Sequence, residues 1–144
     1  MSQNVDVEII HPDEWFRILS IILKSLTVNP EAFGGTLEVE SAEDEIAWRE
    51  KFAKLDFLIA SVDGVDAAVM SVEKLDGDFG ATCWIGGCWS DPAYRGKGLL
   101  RAMMNFVDEQ DKGWQVQGLG VWIDNYSAIA AYEKLGFVKM GEDT

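Results

Sequence analysis

Two stretches of the chain bring together residue types whose spacing serves chemistry. The first is Asp91-Pro92-Ala93-Tyr94-Arg95-Gly96-Lys97-Gly98-Leu99-Leu100, which reads as a strand end, a glycine-rich turn and a helix start. The first N–H groups of a helix have no intrahelical partner and carry the positive end of its dipole. Glycines beside them let a bulky anion such as a diphosphate approach the backbone. Arg95 and Lys97 add two cations at that point. The bland alternative is a surface turn with two solvated basic residues. Two other phosphate loops are excluded by spacing. A dinucleotide fingerprint needs Gly or Ala three residues after Gly98, where Arg101 stands, and a P-loop needs Lys and then Ser or Thr after its second glycine.

The second stretch is Asn125-Tyr-Ser-Ala-Ile-Ala-Ala-Tyr-Glu-Lys-Leu-Gly-Phe137. Asn125 is a good helix N-cap, Ala128, Ala131, Tyr132 and Leu135 stripe one helix face, and Gly136 followed by Phe137 has the pattern of a Schellman cap. Taken together, the two stretches resemble the GNAT superfamily of N-acetyltransferases. In that family an Arg/Gln-x-x-Gly-x-Gly/Ala turn holds the pyrophosphate of acetyl-coenzyme A, and an Asn-x-x-Ala-x-x-x-Tyr-x-Lys-x-Gly-Phe segment supplies the other half of the cofactor site. Arg95, Gly98, Asn125, Ala128, Tyr132, Lys134, Gly136 and Phe137 match those positions. Leu100 departs from the Gly or Ala of the turn, which implies altered packing there rather than lost binding. A fainter echo is Pro30-Glu31-Ala32-Phe33-Gly34, similar to a segment of some bacterial members.

The resemblance implies an acetyl-coenzyme A dependent N-acetyltransferase in which an amine attacks the thioester directly. Cofactor binding falls to Trp89, Ser90, Arg95, Gly96, Lys97, Gly98, Leu99, Leu100, Asn125 and Tyr132. A backbone N–H near Trp89 or Ser90 would stabilise the oxyanion. Tyr132 stands where the family uses a general acid toward the departing sulfur. A tyrosine of pKa ~10 facing a thiol of pKa ~8.5 holds its proton by about 2 kcal/mol, so hydrogen-bond donation is the more modest form of that role. The expected strand Ala81–Ser90 carries no carboxylate where some members keep one, so Glu73 on the preceding strand is the candidate base. Asp91 reads as a turn residue at the strand's end, and Cys88 as a small buried hydrophobe with a thioester-forming nucleophile as its remote alternative.

These residues need elements to position them. Val5–Ile10 reads as a strand, followed by a helix that starts at Pro12, runs through Leu26 and carries Trp15, Leu19, Ile22 and Leu26 on one face. Ser41 and Asp44 open a second helix, Ala42–Leu55, striped by Ile46, Phe52 and Leu55 with Trp48 alongside. Phe57–Val62 and Val65–Val72 form a hairpin about Asp63-Gly64. Ala81–Ser90 is a third strand, in which Gly86-Gly87 predicts a bulge or a close approach. Leu99–Gln110 is an amphipathic helix, Val116–Ile123 a buried strand, and Phe137–Met140 a short last strand after the final helix. The expected fold is therefore α/β in the α+β sense. It is a GNAT-like mixed sheet, mostly antiparallel with a splayed parallel pair, about four flanking helices and a short or missing C-terminal strand. That leaves an exposed edge, to be covered by chain outside this sequence or by a partner such as a second copy in a homodimer.

Size and composition agree with one domain over residues 1–144. Hydrophobic residues make up 48% of the chain, so a core can form. Twelve Lys and Arg against twenty-five Asp and Glu give a net charge of −13, which argues against nucleic acid and anionic membrane as partners. Lys24 breaks the apolar stretch Ile18–Leu26 and no basic region precedes an apolar one at the start, so neither a membrane span nor a signal is expected and the cytoplasm is the expected compartment. One His and two Cys do not build a zinc site, so no metal is expected. An odd separation places Cys83 and Cys88 on opposite strand faces, without a disulfide. Glu38, Glu40, Glu43, Asp44 and Glu45 gather near the first two helices, which in the family wall the acceptor pocket. They would favour a cationic amine, although a solvated helix start that complements the macrodipole is the preferred account. Two further function classes stay open: a catalytically silent acyl-coenzyme A binding module, and a non-enzymatic interaction domain.

Overall fold

The computed structural model describes residues 4–29, 42–77, 80–94, 96–110, 112–121 and 125–139. A five-stranded sheet in the order β1-β2-β3-β4-β5 is made by Val5–Ile9, Asp56–Val62, Val65–Lys74, Cys83–Ser90 and Gln117–Leu119. All neighbours are antiparallel except β4 and β5. The helices are α1 (Trp15–Val28), α2 (Glu45–Lys54), α3 (Leu99–Glu109) and α4 (Tyr126–Lys134). No described helix is long and apolar enough to cross a membrane.

Alternation along β2 and β3 divides the core in two. Leu58, Ala60, Val62, Ala68, Met70 and Val72 meet Leu99, Met103, Met104 and Val107 of α3 on one face. Phe57, Ile59 and Val69 meet Ile18 and Ile21 of α1 and Trp48 of α2 on the other. Burial on both faces explains why β2 and β3 read as continuous apolar runs. The hairpin forms at Asp63-Gly64, both left-handed at φ 50° and 85°, with Val62 opposite Val65.

The predicted bulge is present, and it decides which residues face which layer. Val69 pairs with Trp89 and Ser71 with Gly86, so Met70 alone faces the two residues Gly87 and Cys88. Gly87 is left-handed at φ 52°, where a side chain would be strained. The extra residue inverts the alternation beyond it. Cys88 joins Cys83 and Ile85 on the α3 face, and Trp89 turns to the α1 face. The two cysteines are therefore on the same face, contrary to the expectation from unbroken alternation. Both are free thiols, and five residues of strand, roughly 16 Å, keep them beyond disulfide reach.

Other boundaries shift for local reasons. Pro12 opens a short 3-10 turn, Pro12–Glu14, rather than α1 itself. The second helix starts at Glu45 because Asp44 is its cap, its Oδ1 accepting from Ala47 N at 3.0 Å; Ser41 lies outside the described residues. Ile46 is 70% exposed and takes no part in the stripe, whose buried member is Trp48. The expected strand Val116–Ile123 is reduced to Gln117–Leu119, only partly buried, with 122 and 123 outside the described residues. Residues 137–139 form no strand, and Met140 lies outside the description. The Phe137 N–H is already committed to Tyr132 O at 3.1 Å, in the turn that ends α4.

Candidate active site

The parallel pair is short. Cys83, Trp84 and Ile85 pair with Gln117, Gly118 and Leu119, and beyond Ile85 no described strand pairs with β4 on that side. Among the described residues Gly86–Ser90 therefore has no strand partner on that side, the splay expected of the family fold. Asp91 N donates to Ala67 O at 2.8 Å, so the N–H two residues earlier, on Trp89, also turns toward β3. Alternation then turns the Ser90 N–H to the free edge. Of the two expected oxyanion donors, Ser90 has the suitable direction.

The side chains at this edge divide between the faces. Cys88 lies against the Tyr132 hydroxyl of α4. Burial pushes the Cys88 thiol up to about 11, which Tyr132 only partly offsets, so the thiol is protonated near neutral pH and suits a packing residue better than a nucleophile. Burial first, and then Cys88, raise Tyr132 well above the ordinary tyrosine range. On the other face, Trp89 Nε1 donates to Asn29 Oδ1 at 3.1 Å, at the end of α1. Asp91, only 4% exposed, places its Oδ2 2.5 Å from Lys24 Nζ while its Oδ1 accepts from Ala93 N. Burial alone would raise the Asp91 carboxyl; the Lys24 ammonium and the Ala93 N–H outweigh it and hold the carboxyl below its ordinary value.

Directly after this edge comes the glycine turn. Pro92–Tyr94 forms a 3-10 turn, and Gly96 and Gly98 are left-handed at φ 79° and 72°. Gly98 is the N-cap of α3 and offers no side chain to its first N–H groups. An uncapped helix start ending a free strand edge fits a pyrophosphate with an attached extended chain. Lys97 is exposed beside it, and Leu99 and Leu100 anchor the turn into the α3-side core. Arg95 lies outside the described residues.

Each end of α4 is closed by the motif that made it conspicuous. Asn125 Oδ1 accepts from Ala128 N at 3.3 Å and is the N-cap. Gly136 N donates to Glu133 O and Phe137 N to Tyr132 O, which is the Schellman pair of bonds, with Gly136 at φ 99°. Phe137 then meets the Tyr132 ring edge-on, centroids 5.8 Å apart. Gly136 and Phe137 thereby fix the ring that faces Cys88. Lys134 is exposed.

Glu73 is not brought to Tyr132. It pairs with Trp84, three positions along β3 from Met70 and so about 10 Å from the bulge, and alternation puts it on the α1 side. Of the acidic cluster, Glu43 ion-pairs with Lys51 and Glu45 with Arg49, Asp44 caps α2, and Glu38 and Glu40 lie outside the described residues. Among the described residues no group of three or more His, Cys, Asp or Glu is placed to hold a metal. The site residues missed from the sequence are Lys24 and Asn29. For Lys24 the signal is a lone lysine within the apolar run Ile18–Leu26; Asn29 carries none.

Comparison with known proteins agrees with this geometry. No curated protein matches the sequence. Among solved structures, a possible acetyltransferase from Clostridium difficile 630 superposes with a TM-score of 0.73 at 17% identity, covering 97% of this chain and 94% of that one. A ribosomal-protein-alanine N-acetyltransferase from Brucella melitensis biovar Abortus 2308 gives 0.71 at 14%, covering 98% and 96%. A predicted acetyltransferase with acetyl-CoA from Clostridium acetobutylicum gives 0.69 at 14%, covering 98% and 94%. At these identities the likeness establishes the fold, and the family model for the acetyltransferase (GNAT) family matches residues 20–137. With the splayed edge, the glycine turn and the capped Tyr132 helix in the expected order, the chain belongs to the GNAT acetyltransferase family.

Proposed function

We propose that the protein transfers the acetyl group of acetyl-coenzyme A to a primary amine of a small molecule or peptide by direct attack. The observation that carries this reading is the continuity of the free β4 edge with the uncapped start of α3. Arg95, Gly96, Lys97, Gly98, Leu99 and Leu100 would receive the pyrophosphate, and the edge would take the amides of the coenzyme's extended arm; the Clostridium acetobutylicum fold relative is a predicted acetyltransferase with acetyl-CoA. Asn125 holds α4 so that Tyr132 meets that arm.

In the reaction the amine nitrogen forms a bond to the thioester carbonyl carbon, and the carbonyl electrons move to oxygen, where the Ser90 N–H is directed. The oxyanion collapses, the carbon–sulfur bond breaks, and the sulfur leaves with its electron pair. A tyrosine ordinarily holds its proton more tightly than a thiol, at pKa ~10 against ~8.5, and burial raises Tyr132 further. Tyr132 therefore serves as a hydrogen-bond donor to the sulfur as its charge develops, and solvent completes its protonation. The amine arrives as an ammonium of pKa ~10.4 and must lose a proton. Glu73, on the α1 face but about 10 Å from the bulge, acts as base through intervening water.

The net charge of −13 favours a cationic acceptor. The test is release of free thiol from acetyl-coenzyme A with a panel holding spermidine, a lysine-containing peptide and a peptide with N-terminal alanine, the last chosen from the ribosomal-protein-alanine acetyltransferase relative. Turnover of at least one amine is expected, with Tyr132→Phe lowering kcat about 10²-fold. Cofactor binding without turnover would mark a silent acyl-coenzyme A binding module, and no binding would mark an interaction domain.

A further inference from the structure

We propose that Asp91 and Trp89 are positioning residues for the acceptor amine: through Lys24 and Asn29 they fix the last turns of α1 over the acyl-transfer end of β4. This rests on the acetyltransferase reading above. The Gly87 bulge sends Cys88 to the face that carries Tyr132 and the glycine turn, and sends Trp89 to the α1 face. A thioester held from the Tyr132 side and laid along the free edge leaves its carbonyl open to attack from the opposite, α1 side. The two links to α1 stand at that opening, Trp89 Nε1 to Asn29 Oδ1 at 3.1 Å and Asp91 Oδ2 to Lys24 Nζ at 2.5 Å.

Stability alone is a poor reason for the second link. Asp91 is buried while Lys24 is half-exposed, and although the ammonium and the Ala93 N–H more than offset the burial of the carboxylate, an apolar pair of similar volume would serve a core as well. α1 is also anchored independently, by Ile18 and Ile21 in the core and by Arg17, which bridges Asp66 of β3 and Glu8 of β1 near its first turn. Cutting the later links detaches the end of the helix from β4 and leaves it to the packing of buried Ser25 and Leu26.

The experiment uses Lys24→Met, which removes the charge from a half-exposed position, Lys24→Arg, which keeps it, and Trp89→Phe, which removes only the indole donor. Amine KM and kcat are measured with the panel, and acetyl-coenzyme A affinity by its effect on thermal unfolding. Lys24→Met and Trp89→Phe are expected to raise amine KM roughly tenfold, as small misplacements at a reacting centre do, with cofactor affinity within about twofold and Lys24→Arg near wild type. An unmoved amine KM, or cofactor affinity falling in step with it, overturns the proposal. A wild-type chain that binds no acetyl-coenzyme A or acetylates no amine overturns the parent reading, and this one with it.

Discussion

The two helices that bear the proposed cofactor-side residues are held in opposite ways. α3 buries Leu99, Met103, Met104 and Val107 and begins at a glycine with no side-chain cap. α4 buries no residue fully, yet it has an Asn cap at one end and a Schellman turn at the other. A helix whose N-terminus is reserved for an anion cannot satisfy its own first N–H groups, so packing must hold it. A helix laid on the molecule to present one tyrosine has little packing, so its ends must be closed locally.

The contrast is broken most severely in the core. Met103→Ala deletes a fully buried side chain under α3 and is expected to cost about 2–5 kcal/mol, read from the urea midpoint at constant m. Gly136→Ala forces a side chain into the left-handed region at φ 99°, and about 1–2 kcal/mol of local stability is expected to be lost. Amide exchange should show that loss in α4 and leave α3 protected. Asn125→Ala removes the other cap at a cost of about 1 kcal/mol, again confined to α4. A loss from either cap variant spread evenly over both helices would mean that α4 is part of the core after all.

The smallest effect sharpens the same point through Cys88. Its folded pKa is raised to about 11, so the stability this adds is complete below the unfolded thiol pKa of ~8.5 and disappears as pH rises toward 11. In a Cys83→Ala background, alkylation at pH 8 is expected to be slow and to accelerate when Asn125→Ala loosens α4, because opening that helix uncovers the thiol. A rate indifferent to the cap would place the opening elsewhere.

The legible parts of the sequence were those in which one short stretch carries its own reason. Asp63-Gly64 demands a left-handed turn, Gly136-Phe137 demands a Schellman cap, and the paired glycines of β4 announced the bulge. What the bulge does was not legible, because a single added residue inverts every side chain after it, and only the register of β3 shows where the inversion starts. That is why Cys83 and Cys88 were expected on opposite faces. The Lys24–Asp91 pair was invisible for a different reason: the partners are far apart in sequence, and each has an adequate local explanation as a solvated lysine and a turn aspartate. Only the passage of α1 across the end of β4 brings them together. The last expected strand failed because Phe137 spends its N–H on closing α4.

The most direct test of the central claim, that the free β4 edge and the uncapped α3 start form one acetyl-coenzyme A site, is thermal unfolding with excess acetyl-coenzyme A against ADP at matched ionic strength. At about 100 times Kd a ligand of the folded state adds about 2.7 kcal/mol, which raises the midpoint by several degrees in a domain of this size. A shift of that order is expected with acetyl-coenzyme A, well beyond that with ADP, and equal midpoints with the two would contradict a single acetyl-coenzyme A site there.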